Sequence, residues 1–118
     1  MFNFEKLEVW QKAIDFADDV YATTRSFPDD ERFGLTSQMR RAAVSVSSNI
    51  AEGSARHSRD DYARFLEIAT GSLFEVISQA TIAKRQGLLH EADYQRFYQT
   101  AEIQSRMLSG LRKSLGVT

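Results

Sequence analysis

The stretch Gln38 to Gly53, QMRRAAVSVSSNIAEG, restricts the fold more than any other part of the chain. Leu35, Met39, Ala42, Val46 and Ile50 recur at steps of three and four, which places them on one face of an α-helix. Beside that apolar stripe runs a polar one made of Gln38, Arg41, Ser45, Asn49 and Glu52. At 100° per residue these five positions fall within about 80° of arc. A helix ordered this way, and this rich in small residues, is built to sit close against others.

The same period returns in three further segments. The first is expected to be helical from about Phe4 to Arg25, with Leu7, Trp10, Ile14, Ala17, Tyr21 and Thr24 as its bundle seam. Val9, Ala13, Phe16 and Val20 form a second stripe roughly 100° away. Two stripes predict burial on two sides, by the bundle and by another subunit, with Asp15, Asp18 and Asp19 on the exposed side. Phe27-Pro28-Asp29-Asp30 then breaks the chain at its only proline. The second helix is expected over residues 35–56. Ser58 with Asp61 three positions on reads as the cap of a third helix over 58–86. Its apolar face is Tyr62, Phe65, Leu66, Ala69, Leu73, Val76, Ile77, Ala80 and Ala83, and Gly87 is placed to end it. The fourth, over about 91–115, carries Tyr94, Phe97, Ala101, Leu108, Leu111 and Leu115. No stretch sustains the alternation of a strand. The expected fold is all-α: one domain, residues 1–118, forming an up-down-up-down four-helix bundle.

Composition removes several function classes. With no cysteine there is no disulfide framework, thiolate metal site or cysteine nucleophile. The amino terminus, MFNFEKLEVW, has no basic region followed by an apolar run, so no signal peptide is expected. No segment approaches the roughly 18 apolar residues of a membrane span, and the expected compartment is the cytoplasm. Charge is unevenly spread: residues 1–31 hold eight acidic and three basic side chains, residues 32–64 three acidic and six basic. A pI near 6.1 argues against general nucleic-acid affinity but permits a local patch.

Candidate chemistry is sparse. His57 and His90 lack the HxxxH or ExxH spacing that would bring metal ligands onto one bundle face, so no metal site is expected; the leading reading likewise has no cofactor and no catalytic residue. Glu52, Glu67 and Glu75 could face one another across the second and third helices and share a raised pKa as acid and base. Alternatively, Arg41 and Gln38 neutralise and hydrogen-bond them. Ser45, Gly71 and Ser72 remove bulk where those helices meet. Glycine in mid-helix costs about 1 kcal/mol relative to alanine, which close helix approach or a ligand groove would offset. Arg40, Arg41, Arg56, Arg59 and Arg64, with His57, are expected around the second-to-third helix junction. Arginine forks hold phosphate there, or else they pair with the acidic first helix. No aromatic platform lies among them in sequence. Phe74 and Ile103 project off the core faces of their helices and, with the second stripe of the first helix, suggest a self-association surface.

Gln38, Arg41-Ala42, Ser45 and Asn49-Ile50-Ala51-Glu52-Gly53 resemble the signature of a bacterial four-helix bundle family that includes the 23S rRNA intervening-sequence proteins. Phe4-Glu5-Lys6-Leu7-Glu8-Val9-Trp10, Phe27-Pro28, and Gly71-Ser72-Leu73 with Glu75 resemble further family positions, so the likeness covers nearly the whole chain. Thr70 departs from the pattern, which has arginine before the glycine. The resemblance implies a left-turning bundle assembled into a ring, a homopentamer. A related bundle is the accessory protein of diversity-generating retroelements, thought to bind nucleic acid and a reverse transcriptase. The positions carried over are Gln38, Arg41, Ser45, Asn49, Glu52, Gly71, Ser72 and Glu75, with a structural role expected. No enzymatic activity follows from the family.

The leading expectation is therefore a non-enzymatic, oligomeric binding or scaffold module that takes structured RNA, or other nucleic acid, on Arg40, Arg41, Arg56, Arg59 and Arg64. The alternative is a protein-binding homo-oligomer that uses the first helix and Phe74 and has no nucleic-acid affinity. A distant third is a hydrolase working through Glu52, Glu67 and Glu75. No membrane or small-molecule partner is indicated.

Overall fold

The computed structural model describes residues 1–117. Four helices account for most of the chain: α1 (Glu8–Thr24), α2 (Leu35–Ser54), α3 (Arg59–Arg85) and α4 (Glu91–Ser114). Each packs against its neighbour in sequence, and α1 closes the ring against α4. The molecule measures 43 × 23 × 20 Å. That length is set by α3, whose 27 residues at about 1.5 Å each extend roughly 40 Å.

Four side-chain contacts fix the register between neighbouring helices. Arg40 Nε donates to Thr24 Oγ1 at 3.0 Å, joining α2 to α1. The hydroxyls of Ser45 and Ser72 bond at 2.9 Å between α2 and α3. Those of Thr81 and Tyr94 bond at 3.1 Å between α3 and α4. Arg96 Nε and Nη2 reach the two carboxylate oxygens of Asp19, each at 2.9 Å, between α4 and α1. Further along, Gly53 lies against Phe65, Glu67 meets Arg112 and Gln104 reaches Lys12, so one residue number rises as the other falls, and the short turn from α1 to α2 reverses the chain likewise. All four neighbours are antiparallel, giving the up-down-up-down bundle.

The local signals act as the residue types predict. Ser58 Oγ accepts from the Asp61 amide at 3.0 Å and caps α3. Gly87, with φ +75°, turns the chain out of α3 while the Leu88 amide bonds back to the Ala83 carbonyl at 2.9 Å. Pro28 leads into a 3₁₀ turn, Asp29–Glu31, and Phe27 beneath it is buried.

The amino terminus departs from one continuous helix beginning at Phe4. Asn3–Lys6 is a separate 3₁₀ turn, and Leu7 is extended (ψ 122°) before α1 begins. Glu5 causes the break. Its carboxylate accepts the Phe2 amide at 2.9 Å, and its carbonyl accepts Gln11 Nε2 at 2.8 Å. The Phe4 ring then meets Trp10 edge-on, with centroids 5.1 Å apart.

The stripe of α1 that enters the core is also not the one its larger residues suggest. Val9, Ala13, Phe16, Ala17, Val20 and Thr24 are buried, whereas Trp10 and Ile14 are half-buried and Tyr21 is exposed. Ala13 and Ala17 let the helix approach its neighbours closely, and Phe16 fills the centre against Phe97, edge to face at 5.8 Å. The bulkier Trp10 and Tyr21 serve better on the flank, under Phe4 and under the Arg40 guanidinium, which lies 4.6 Å from the Tyr21 centroid. With the second stripe turned inward, α1 no longer supplies the broad outer apolar face on which a subunit contact was expected. Phe74 and Ile103 remain exposed.

The core also takes in two glutamines that the apolar pattern passes over. Gln104 is fully buried, its Nε2 3.4 Å from the Lys12 carbonyl, and Gln79 is nearly so, with Nε2 3.3 Å from Glu75 Oε2. Each keeps a carbonyl oxygen without a partner among the described residues. Their spacing from Ala101 and Leu108, and from Val76 and Ala83, is the one sign in the sequence that they face inward.

Candidate nucleic-acid interface

The α2–α3 junction is built around the close approach at Gly53. A Cβ at that position would stand 2.8 Å from Phe65 Cβ and 3.0 Å from Tyr62 Cδ1, so only glycine lets α3 begin this near to α2. Tyr62, drawn half into the seam, has its phenol pKa raised by burial above the ordinary 10.0. Phe65 is buried but for one patch, and two arginines lie on it. The Arg56 guanidinium carbon is 4.5 Å from the ring centroid and that of Arg64 4.8 Å. Stacking holds an arginine by its flat face and leaves its N–H edge free to donate.

Charge pairing at this junction is light. Arg64 has a long, exposed contact of 3.9 Å to Asp61, and such a pair contributes less than about 1 kcal/mol. Arg56 and Arg59 have no carboxylate partner among the described residues. The capped amino terminus of α3 lies between them and adds the positive end of its dipole. Three guanidiniums and a helix amino terminus are thus gathered at one end of the bundle. Among the described residues no carboxylate of the first helix pairs with them; Glu8 meets Lys12 and Asp19 is taken by Arg96.

The other two arginines lie elsewhere. Arg40 is held on α1 by Thr24 Oγ1, the Tyr21 carbonyl at 3.4 Å and the Tyr21 ring. Arg41, about 22 Å from Arg56 if the helical rise is followed through, is exposed and makes no ion pair among the described residues. The proposed neutralisation of a buried carboxylate by Arg41 is therefore absent. Glu52, Glu67 and Glu75 are all exposed. Glu67 Oε1 is bound to Arg112 at 2.6 Å, and Glu75 accepts from Gln79. The dry pair of carboxylates that acid–base chemistry needs is not formed by these three residues.

The polar stripe of α2 instead opens toward α3 as a shallow groove of about 340 Å³, lined by Gln38, Arg41, Ala42, Ser45, Ser72 and Glu75. Asn49 Nδ2 donates to the carbonyl and hydroxyl of Ser45 at 2.8 and 2.9 Å, and Ser45 bonds Ser72. Gly71 does not mark a close helix approach. It is exposed, and a Cβ there would meet nothing within 4 Å. Helix approach belongs to Gly53, twelve positions from Phe65, and no distance along the sequence distinguishes the two glycines.

A third feature is an apolar cleft of about 350 Å³ between α3 and α4, lined in part by Phe74, Ile77, Tyr98 and Ala101. Among the described residues no group of three or more histidines, aspartates or glutamates could hold a metal ion. His57 and His90 are exposed. Among the described residues no helix is long and apolar enough to cross a membrane.

Comparison with known proteins agrees with this fold. A solved structure from Bacteroides thetaiotaomicron, described as a protein of unknown function from the S23 ribosomal protein family, superposes with a TM-score of 0.79. The two share 21% identity over 89% of this chain and 98% of the other, a likeness that concerns the fold alone. No curated protein matches the sequence. Residues 5–110, spanning α1, α2, α3 and nearly all of α4, match the family described as 23S rRNA-intervening sequence protein. With its signature residues, its four antiparallel helices and this match all in agreement, the chain belongs to the 23S rRNA-intervening sequence protein family.

Proposed function

We propose that the chain is a non-enzymatic, oligomeric binding module that takes structured RNA on the bundle end carrying Arg56, Arg59 and Arg64. The observation that carries this reading is the Phe65 platform. It orients two guanidiniums while leaving their donors unspent, and Arg59, at the start of α3 between them in the chain, has no carboxylate partner among the described residues. The family's description names a ribosomal RNA, which makes RNA the first ligand to test. Binding would rest on phosphate contacts, which arginine forks make without reading sequence. The oligomer in this reading is the ring of five that the family resemblance implies.

The test is a salt titration of binding to a structured RNA fragment, with oligomer mass measured on the same sample. The expected result is a linear fall of log affinity with log salt, at a slope of several phosphates per oligomer. The Arg56→Ala/Arg59→Ala variant should weaken binding and flatten that slope. An intact oligomer that binds nothing even at low salt overturns the proposal. It would favour a protein scaffold using the α3–α4 cleft, where Phe74 is 58% exposed beside Tyr98 at 43%.

A further inference from the structure

We infer that the aromatic cluster at the amino terminus, Phe2 stacked on Phe4 and Phe4 braced edge-on by Trp10, is a docking platform for unpaired nucleotides, so that the RNA bound is single-stranded or looped where it meets the bundle end. This rests on the RNA reading above and narrows its ligand.

Helix register brings the stack to the arginine end. The contacts Arg40–Thr24 and Arg96–Asp19 are antiparallel. Followed back along α1, they set the amino-terminal turn level with the carboxyl ends of α2 and α4. That turn packs on both α1 and α2. The end of the molecule therefore displays Phe2 and Phe4, Arg56 and Arg59 from the α2–α3 junction, and Lys113 from the last turn of α4. Among the described residues none of these three cations has a carboxylate partner. Phe65 is buried beneath two guanidiniums, so an aromatic face open to a base comes instead from about fifty residues away in the chain.

The stack is ordered rather than a loose tail. Phe2 and Phe4 are nearly parallel, at 6°, with centroids 5.8 Å apart, and Phe4 is braced edge-on by Trp10. The Phe2 amide is tied to the Glu5 carboxylate, and Gln11 holds the Glu5 carbonyl. Phe2 still exposes 72% of its surface, so this apolar ring is held in place while much of it faces water. A nucleobase continues such a stack and buries it, while the following phosphates reach the arginine forks. The interior of a duplex cannot do so, because its base faces are already stacked and only their edges are displayed.

The experiment uses the full chain and two probes of equal length: an unstructured oligoribonucleotide carrying a fluorescent adenine analogue quenched by stacking, and an RNA duplex whose two ends are closed by non-nucleotide linkers, so that no base face is free. Phe2→Ala is expected to lower affinity for the single strand about tenfold and to abolish the quenching, as loss of one base–aromatic stack does. Duplex affinity should change by less than about twofold and the salt slope should stay constant, because no phosphate contact is removed. Phe2→Trp should restore both affinity and quenching. An unchanged single-strand affinity, an equal loss on both probes, or a change of oligomer mass in Phe2→Ala overturns the inference, the last by assigning Phe2 to a subunit contact. Failure of the unaltered chain to bind either probe rejects the RNA reading itself.

Discussion

Near Gly53 the seam between α2 and α3 closes to backbone distance, whereas about 20 Å back along α2 the same seam opens into a polar groove. Both halves use small residues, and both carry arginine. At the closed end, glycine is required by a neighbour and the arginines lie on a ring that the closeness has put in place. At the open end, Gly71 has no neighbour, and Arg41 and Gln38 keep their donors toward solvent. A small residue in a helix thus says that something is near only when the facing helix is shown to be there. The closed half orients its cations, and the open half leaves them free.

The largest effect is expected at the closed half. Gly53→Ala would force the new Cβ against Phe65 and Tyr62, and such overpacking costs about 1–3 kcal/mol. Urea unfolding measures it. Phe65 would shift with α3, so RNA affinity should fall in the same variant. Unchanged stability would mean that the seam is looser than its geometry and would erase the contrast.

A smaller effect is expected where the two halves meet. Ser45→Ala removes the link between Asn49 and Ser72 and should cost about 1 kcal/mol, since a part-buried neutral hydrogen bond contributes roughly 0.5–1.5 kcal/mol. A double-mutant cycle with Ser72→Ala should show the two losses to be less than additive. Full additivity would show that the hydroxyl pair contributes nothing.

In the open half the sign reverses. Gly71→Ala fills empty space and removes the conformational cost of a mid-helix glycine, so stability should rise by about 0.5–1 kcal/mol. A loss instead, seen by thermal unfolding of the assembled protein, would reveal a neighbouring subunit closing on Gly71.

What the sequence made legible was local. The stripes of α2 and α3, the Ser58 cap and the Gly87 terminator each depend on residues within one or two turns, and each stands where its chemistry puts it. The orientation of α1 was not legible, because two apolar stripes compete and side-chain size favours the wrong one. Only packing against Phe97 and α2 decides that the alanines and Phe16 go inside. The site was half legible. Arg56, Arg59 and Arg64 are near in sequence and near in space, but Arg40 and Arg41 point to different neighbours from adjacent positions, as 100° per residue requires. Phe65 reads as a core residue, and nothing in the sequence marks it as the surface on which two guanidiniums lie. The amino-terminal aromatics were hidden for the same reason: bundle register, not sequence distance, brings them to the arginines.

The central claim is that the closed end, not the open groove, binds RNA. It is tested most directly by comparing the salt dependence of RNA affinity for Arg56→Ala/Arg59→Ala and for Arg41→Ala. Arg41 is exposed and has no ion-pair partner among the described residues, so its loss should change stability by less than about 0.5 kcal/mol and leave a folded protein to compare. The double variant is predicted to reduce the slope of log affinity against log salt by about two for each site engaged, with Arg41→Ala leaving it unchanged. A slope that falls with Arg41→Ala and stays constant in the double variant would contradict the account and place the ligand in the groove.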